Sequence, residues 1–240
     1  TLKTHYIAHV RHGGDVKQSQ SLATHLTETA AIAKMLAAKL GLDLAGELLG
    51  LMHDFGKYSL KFQKYIYDAT GLINPDLDDE ESTPGGSKVD HSTAGAQWVY
   101  RRLAAMGQKE SGVLCGQMLG LCIASHHGAG LIDCLDDEGN VVWQKRFNKD
   151  DSLTHLSECL QNADESVLQQ AEGLADKALL VQMLAPLKAV LMLPEAQAGH
   201  QIKEFYLGCF TRLLFSCLID ADRSNSADFE RENQKEIRRL

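Results

Sequence analysis

The chain has 240 residues, 44% hydrophobic and 23% charged, which fits a folded domain with a substantial core and excludes a disordered or fibrous protein. Its net charge of −8 opposes unaided tight binding to nucleic acid, which relies on a basic surface, and leaves nucleic acid open as a substrate. No apolar run approaches the roughly 20 residues of a membrane-spanning helix, and Thr1-Leu2-Lys3-Thr4-His5 lacks a signal-peptide pattern.

The chain opens on Thr1 rather than Met, as expected for a piece of a longer protein. Residues 21–40 carry Leu22, Leu26, Ala30, Ala33, Leu36, Ala37 and Leu40 at near-helical spacing, and Gly41 ends the run. A second helix is expected over 44–55, stopped by Gly56, and a third over 60–69 with Ser59 as its cap. Residues 71–90 combine Asn-Pro, an acidic run from Asp76 to Glu81 and Pro-Gly-Gly, the signature of a solvated loop. Helices follow at 91–106 and 112–126. The segment 128–150 breaks the pattern. Gly128, Gly130, the acidic turn Asp136-Asp137-Glu138-Gly139-Asn140 and Val141-Val142-Trp143 predict a small β-hairpin insertion. Helical periodicity returns at 151–162, 165–193 and 200–223, broken near Pro194 and Gly199, and 226–240 reads as a polar helix leading into a further segment. There is no internal repeat. The expected architecture is all-α, a single domain over 1–240 with loop insertions at 71–90 and 128–150.

Six cysteines occur and none forms a Cys-x-x-Cys pair, which removes a zinc ribbon from consideration. The spacings of Cys115 with Cys122 and of Cys209 with Cys217 suit the apolar side of a helix, where a free thiol packs as a small hydrophobe. A reducing cytoplasm is the simplest setting.

The histidines carry the chemical signal. In His53-Asp54-Phe55-Gly56-Lys57, an adjacent His and Asp at a helix C-terminus can both reach one metal ion. Gly56 is expected to let the backbone turn by accepting positive φ. Lys57 lies just beyond and is expected to meet a phosphate as a point charge. The apolar lead-in Leu48, Leu49, Leu51 and Met52 argues that the pair faces an interior cleft rather than the surface. Ser125-His126-His127-Gly128 ends the apolar helix holding Val113, Leu114, Met118, Leu119 and Ile123. Two consecutive imidazoles there are hard to account for by packing, because each ring nitrogen needs a partner. His25 and His91, taken singly, are better explained as satisfied core or surface histidines. Asp222 steps by four from Leu214 and Leu218 onto an apolar face, where a carboxylate is costly unless paired or metal-bound. Asp220 aligns with Leu213 and Cys217 and remains an alternative, and either aspartate has a salt bridge to Arg212 or Arg223 as its plainer explanation.

Taken together, Tyr6-Ile7-Ala8-His9, Leu22-Ala23-Thr24-His25-Leu26, His53-Asp54-Phe55-Gly56-Lys57, Asp90-His91-Ser92-Thr93-Ala94-Gly95-Ala96, Ser125-His126-His127-Gly128 and Leu218-Ile219-Asp220-Ala221-Asp222-Arg223 form an ordered set along most of the chain. The set resembles the HD superfamily of metal-dependent phosphohydrolases. It further resembles the HD nuclease domain of the CRISPR-associated nuclease-helicase of type I systems. The resemblance implies an HD-domain helical bundle in which His25, His53, Asp54 and Asp222 form one metal site. Asp54 would bridge to a second site made with His91, His126 and His127, and Asp54 and Lys57 would serve catalysis. Two divalent transition-metal ions are implied, and imidazole-rich ligation favours manganese, iron, cobalt or nickel over magnesium. Such a centre can activate water against a phosphodiester.

The implied activity is cleavage of single-stranded DNA in CRISPR interference, with a helicase domain or subunit and a CRISPR effector complex as partners and no membrane. No Gly-x-x-x-x-Gly-Lys-[Ser/Thr] loop occurs, so ATP hydrolysis must reside elsewhere. Two other readings are an HD phosphohydrolase acting on a nucleotide or cyclic dinucleotide, and a non-catalytic interaction module stabilised by metal.

Overall fold

The computed structural model describes residues 6–13, 16–68, 89–106, 109–128, 130–132, 134 and 136–231. Most of the acidic loop expected at 71–90 and the end of the polar helix expected at 226–240 lie outside the described residues. The rest is a helical bundle with one small antiparallel sheet.

The chain enters as a hairpin, β1 (Ile7–Gly13) and β2 (Val16–Ser21). No hairpin is expected here from the sequence; the expected one lies in 128–150. At 134–142 the described residues form a tight turn, with Asp136 N–H donating to Asn140 O and Val142 N–H to Cys134 O, which leads into a short helix. The register of β1 against β2 slips between Ile7 and His9, and this irregularity puts Ala8 and His9, consecutive residues, both in the interior. The outer edge of β1 is covered rather than left open. Gln63 accepts from Ile7 N–H through Oε1 at 2.9 Å and donates to Ile7 O through Nε2 at 3.0 Å.

Ser21 then caps α1 (Leu22–Ala38), its hydroxyl accepting from Thr24 N–H. At the other end Gly41, at φ +70°, lets Leu42 N–H reach back to Ala37 O and Gly41 N–H to Ala38 O, a Schellman ending. The second helix, α2 (Asp43–Met52), packs on α1 at very short range. A Cβ on Gly46 would run into the Ala33 carbonyl, and one on Gly50 into the backbone of Ala30. The regular helix stops at Met52, before the expected Asp54 and Phe55, and a 3-10 turn, Phe55–Tyr58, continues into α3 (Leu60–Asp68).

After the undescribed stretch come α4 (Ser92–Ala104) and α5 (Lys109–Ser125). The small residues at 94–96 act as expected: a Cβ on Gly95 would land on the Met52 carbonyl oxygen, so α4 seats directly on the end of α2. Short helices α6 (Trp143–Phe147), α7 (Asp151–Thr154) and α8 (Leu156–Asn162) follow. The continuous helix expected at 165–193 is broken into α9 (Glu165–Leu174) and α10 (Lys177–Leu191), because Asp176 caps the second by accepting from Ala178 and Leu179 N–H. The last two predicted helices, in contrast, run together as α11 (His200–Glu230), which lies along α1, α2 and α5. Nothing between 223 and 226 interrupts it, since Ser and Asn are tolerated inside a helix held by tertiary contacts.

One core joins these helices, built from residues such as Leu26, Leu48, Leu49, Leu51, Met52, Phe55, Leu119, Ile123, Leu214 and Leu218. Cys115, Cys122, Cys159 and Cys217 are buried within it as free thiols, and burial pushes the thiol pKa of Cys115 up to about 11 and of Cys159 to about 12.

The glycine contacts make a stability prediction. Gly50→Ala should destabilise the fold by about 1–3 kcal/mol, because the backbone of Ala30 cannot yield to a methyl group. Gly173→Ala in α9, where a Cβ meets nothing within 4 Å, should instead stabilise it by roughly 0.5–1 kcal/mol. Urea unfolding of both variants measures the contrast.

Candidate metal centre

Helix ends create the site. The carbonyls of a last helical turn lack intrahelical partners. His53 stands just past α2 and its Nδ1 bonds Gly50 O at 2.8 Å. His126 stands just past α5 and its Nδ1 bonds Ile123 O at 2.7 Å. Each ring bonds the carbonyl three residues back, in the last turn of its helix, and projects its Nε2 off the helix end. His91 immediately precedes α4, with Nδ1 at 3.0 Å from Val89 O and its own carbonyl accepting from Gly56 N–H at 3.0 Å. Gly56 is thus required for close approach, since its Cβ would strike the His91 backbone. Among the described residues the glycines at positive φ are Gly41 and Gly139, so the left-handed turn expected at Gly56 is not used.

His25 lies inside α1 and bonds a side chain instead: Nδ1 is 2.8 Å from Asn225 Oδ1. The amide orientation follows from its other bonds. Asn225 Nδ2 donates to Glu28 Oε2 at 2.7 Å and Oδ1 accepts from Gln20 Nε2 at 2.9 Å. In His25, His53, His91 and His126 the ring proton is therefore assigned to Nδ1, which leaves Nε2 as a lone pair.

These lone pairs meet around Asp54. Its Oδ2 is 3.2 Å from His25 Nε2 and 3.3 Å from His53 Nε2. Its Oδ1 is 3.1 Å from His126 Nε2, 3.5 Å from His91 Nε2 and 3.4 Å from His127 Nε2. Asp222 Oδ1 completes the first group at 3.5 Å from both His25 and His53 Nε2. Two sets of donors result, His25, His53 and Asp222, and Asp54, His91, His126 and His127, each with its ligand atoms within 4.8 Å of one another. Of the two aspartates weighed on α11, Asp222 has its carboxylate at the cluster, and Asp220 is exposed.

A cation suits this arrangement. His25 and His53 Nε2 are 3.1 Å apart, and both face carboxylate oxygens. Lone pair against lone pair is repulsive, and burial removes the water that would relieve it. Without metal, a proton must intervene. Burial opposes charge on His53, but Asp54 and Asp222 outweigh it and lift its pKa to about 10. Burial likewise lowers the pKa of His25, and it lowers that of His126, beside His127, to about 4. Burial acts to raise both carboxylates. Lys57 and His53 nevertheless hold Asp54 well below the usual range, and His53 and His25 do the same for Asp222. The neutral imidazoles and ionised carboxylates are the forms that ligate a divalent transition metal.

Lys57 lies at the cluster, against the carboxylate of Asp54. The 3-10 turn folds it back so that Nζ is 2.9 Å from Asp54 Oδ2, with Ala8 O at 3.5 Å and the Phe62 ring centroid at 5.5 Å. The side chain is fully buried. Its ammonium balances Asp54 from behind. Sequence reasoning missed Asn225, Gln20 and Glu28. The available signal was Asn225 itself, one helical turn past Asp222 and so on the same face. Gln20 and Glu28 join it only through tertiary packing.

The family model "Cas3, HD domain" matches residues 10–194. All the clustered residues except Asp222, with its neighbour Asn225, fall inside that span. No curated protein matches the chain.

Two outcomes follow from the geometry. His53 is protonated below about pH 10 without metal, so uptake of a divalent ion at pH 7 should expel about one proton, and apparent affinity should rise with pH toward that value. Calorimetry in buffers of different ionisation enthalpy reads the proton, and uptake without proton release would contradict the assignment. Asn225→Ala should remove the bond that orients His25 and weaken one metal site by about 10–100-fold, measured by titration with manganese or cobalt.

Proposed function

The chain belongs to the Cas3 HD-domain family of metal-dependent nucleases of CRISPR systems, and from that premise we propose that it cleaves single-stranded DNA during CRISPR interference with two divalent metal ions. One observation carries the reading: the single buried carboxylate of Asp54 gives one oxygen to each of two donor groups. In this reading His25, His53 and Asp222 would hold one ion and His91, His126 and His127 the other, with Asp54 serving both. Bound there, the pair would supply a water acidic enough to attack at neutral pH and would offset the charge that builds on the phosphate.

The protein's own residues do the rest. The Nδ1–H bonds to Asn225, Gly50, Val89 and Ile123 hold four rings in one orientation, so little reorganisation is needed when substrate arrives. His25, His53 and His126 are fully shielded and close the inner side. His127 and Asp222, each 14% exposed, border solvent, and a strand would approach on that side. Two dications outweigh the charge of Asp54 and Asp222, and the Lys57 ammonium adds to the excess. A phosphodiester is thus drawn to the centre although the chain as a whole carries −8.

In this reading the chain forms one HD domain working in the cytoplasm. A helicase domain or subunit supplies the single strand, and the effector complex supplies the target. Among the described residues no helix is long and apolar enough to cross a membrane.

The test is labelled single-stranded DNA and blunt duplex incubated across a metal series. Chelation should abolish cleavage. Manganese, cobalt or nickel should restore it better than calcium, with single strands cut in preference to duplex. Asp54→Ala should lose at least about a hundredfold in rate together with bound metal. Hydrolysis of mononucleotides or cyclic dinucleotides with intact single strands would replace this reading by the phosphohydrolase one.

A further inference from the structure

The segment 134–150 carries none of the candidate ligands, yet it packs on the residues that flank His91. Lys149 Nζ lies 2.5 Å from Asp90 Oδ2, and Arg146 Nη2 lies 3.8 Å from Asp90 Oδ1. Arg146 also donates from Nε to Thr93 Oγ1 and from Nη2 to Ser92 Oγ, each at 3.1 Å. Asp90 in turn caps α4, its Oδ1 accepting from Thr93 N–H at 3.1 Å and its Oδ2 from Thr93 Oγ1–H at 2.7 Å.

We propose that Lys149 and Arg146 are positioning residues for the second donor group: they clamp Asp90, and through it the turn that presents His91. The proposal rests on the two-ion reading given above.

His91 is anchored differently from His25, His53 and His126. His25 is inside a helix, and His53 and His126 are each bonded to the helix they terminate. His91 precedes its helix, and its ring bonds Val89 O, two residues back on the same turn. That bond moves with the turn and cannot place it. Contacts from outside the turn include Gly56 N–H on the His91 carbonyl, the Phe62 ring 4.7 Å from the His91 ring, and the cations on Asp90.

The base of the clamp is itself fixed. Phe147 is buried, and Gln97 Nε2 on α4 donates to both Phe147 O at 3.0 Å and Lys149 O at 2.9 Å. Gln97 Oε1 accepts from Thr154 Oγ1–H at 3.2 Å. Tyr100, Trp143 and Phe147 stack edge to face or tilted against one another. Both cations therefore stand on a support tied to the helix whose start they hold, and they oppose rotation of the Asp90-His91 turn about that start. Partners of this kind around a ligand are typically worth about 10–100-fold in metal affinity.

The test titrates manganese into the wild-type protein, Arg146→Met/Lys149→Met, Lys149→Arg and Asn225→Ala, followed by electron paramagnetic resonance and bound-metal analysis. The wild type should take two ions with the spectrum of a spin-coupled pair. The double variant should keep one ion at near wild-type affinity, now with the hyperfine pattern of an isolated ion, and bind the second about 10–100-fold more weakly. Lys149→Arg should restore the coupled spectrum, and Asn225→Ala should weaken the other site instead. Two ions bound with unchanged affinity and coupling in the double variant would overturn the clamp alone. Loss of both sites together, unrestored by Lys149→Arg, would reduce the clamp to a contribution to folding and also overturn it. A single ion in the wild type would overturn the two-ion reading, and this proposal with it.

Discussion

The repulsion among lone pairs around Asp54 is the constraint on which the rest of the structure depends. Imidazole nitrogens and carboxylate oxygens are pointed at one another from 3.1 to 3.5 Å in a largely buried space. A hydrophobic core tolerates no such arrangement unless positive charge sits within it. In the absence of metal that charge is the Lys57 ammonium and a proton on His53. A dication replaces the proton and satisfies several donors at once. The cluster is therefore weakly compensated as a piece of packing and well compensated as a binding site. Metal that binds only the folded chain stabilises it by mass action.

Imidazole and aspartate side chains are short, so ligands from separate segments can share a site only if their backbones approach closely. Glycine makes that approach. Gly46 and Gly50 bring α2 onto α1 and so bring His53 to His25. Gly95 seats α4 on the last carbonyl of α2, and Gly56 receives the His91 carbonyl. Helix termini add the second half of the design. A ring placed just past the end of a helix bonds a carbonyl of its last turn through Nδ1, which sets both its tautomer and its direction. His-Asp and His-His adjacency in the sequence records that use of helix ends.

This explains what could be read from the sequence and what could not. Helical periodicity marked α1, α2, α4 and α5 because their apolar positions repeat at the helical period, and the motifs at their ends stood out because paired polar residues interrupt apolar runs. The hairpin at 7–21 went unnoticed. It alternates weakly, and its bulge places two neighbouring side chains inside, which removes the period of two. The division of α9 from α10 turns on one Asp176 side chain capping the next helix, which competes with a continuing helix by only about 1 kcal/mol. For Lys57 the sequence shows its place beside the His-Asp pair but not its bond to Asp54. Its burial depends on where the 3-10 turn, Ala8 and Phe62 lie, and none of these is visible locally. Asn225 shares a face with Asp222, yet only the packing of α11 on α1 gives it His25 to hold.

The balance of charge in the cluster connects these features to the chemistry. A centre of four or five carboxylates would neutralise two dications and lose its pull on an anionic substrate. Here the described donor groups contain two carboxylates, Asp54 and Asp222, and the other ligands are neutral rings. Lys57 is bonded to the ionised carboxylate of Asp54. It also draws electron density from the carboxylate that both donor groups share. Each ion held there is less fully neutralised by its ligands, and so acts more strongly on a water and on a phosphate oxygen. Positive charge is thereby concentrated at one shielded point of an acidic chain. In the proposed reading, attraction for a phosphodiester would be set by the loaded centre rather than by the protein surface.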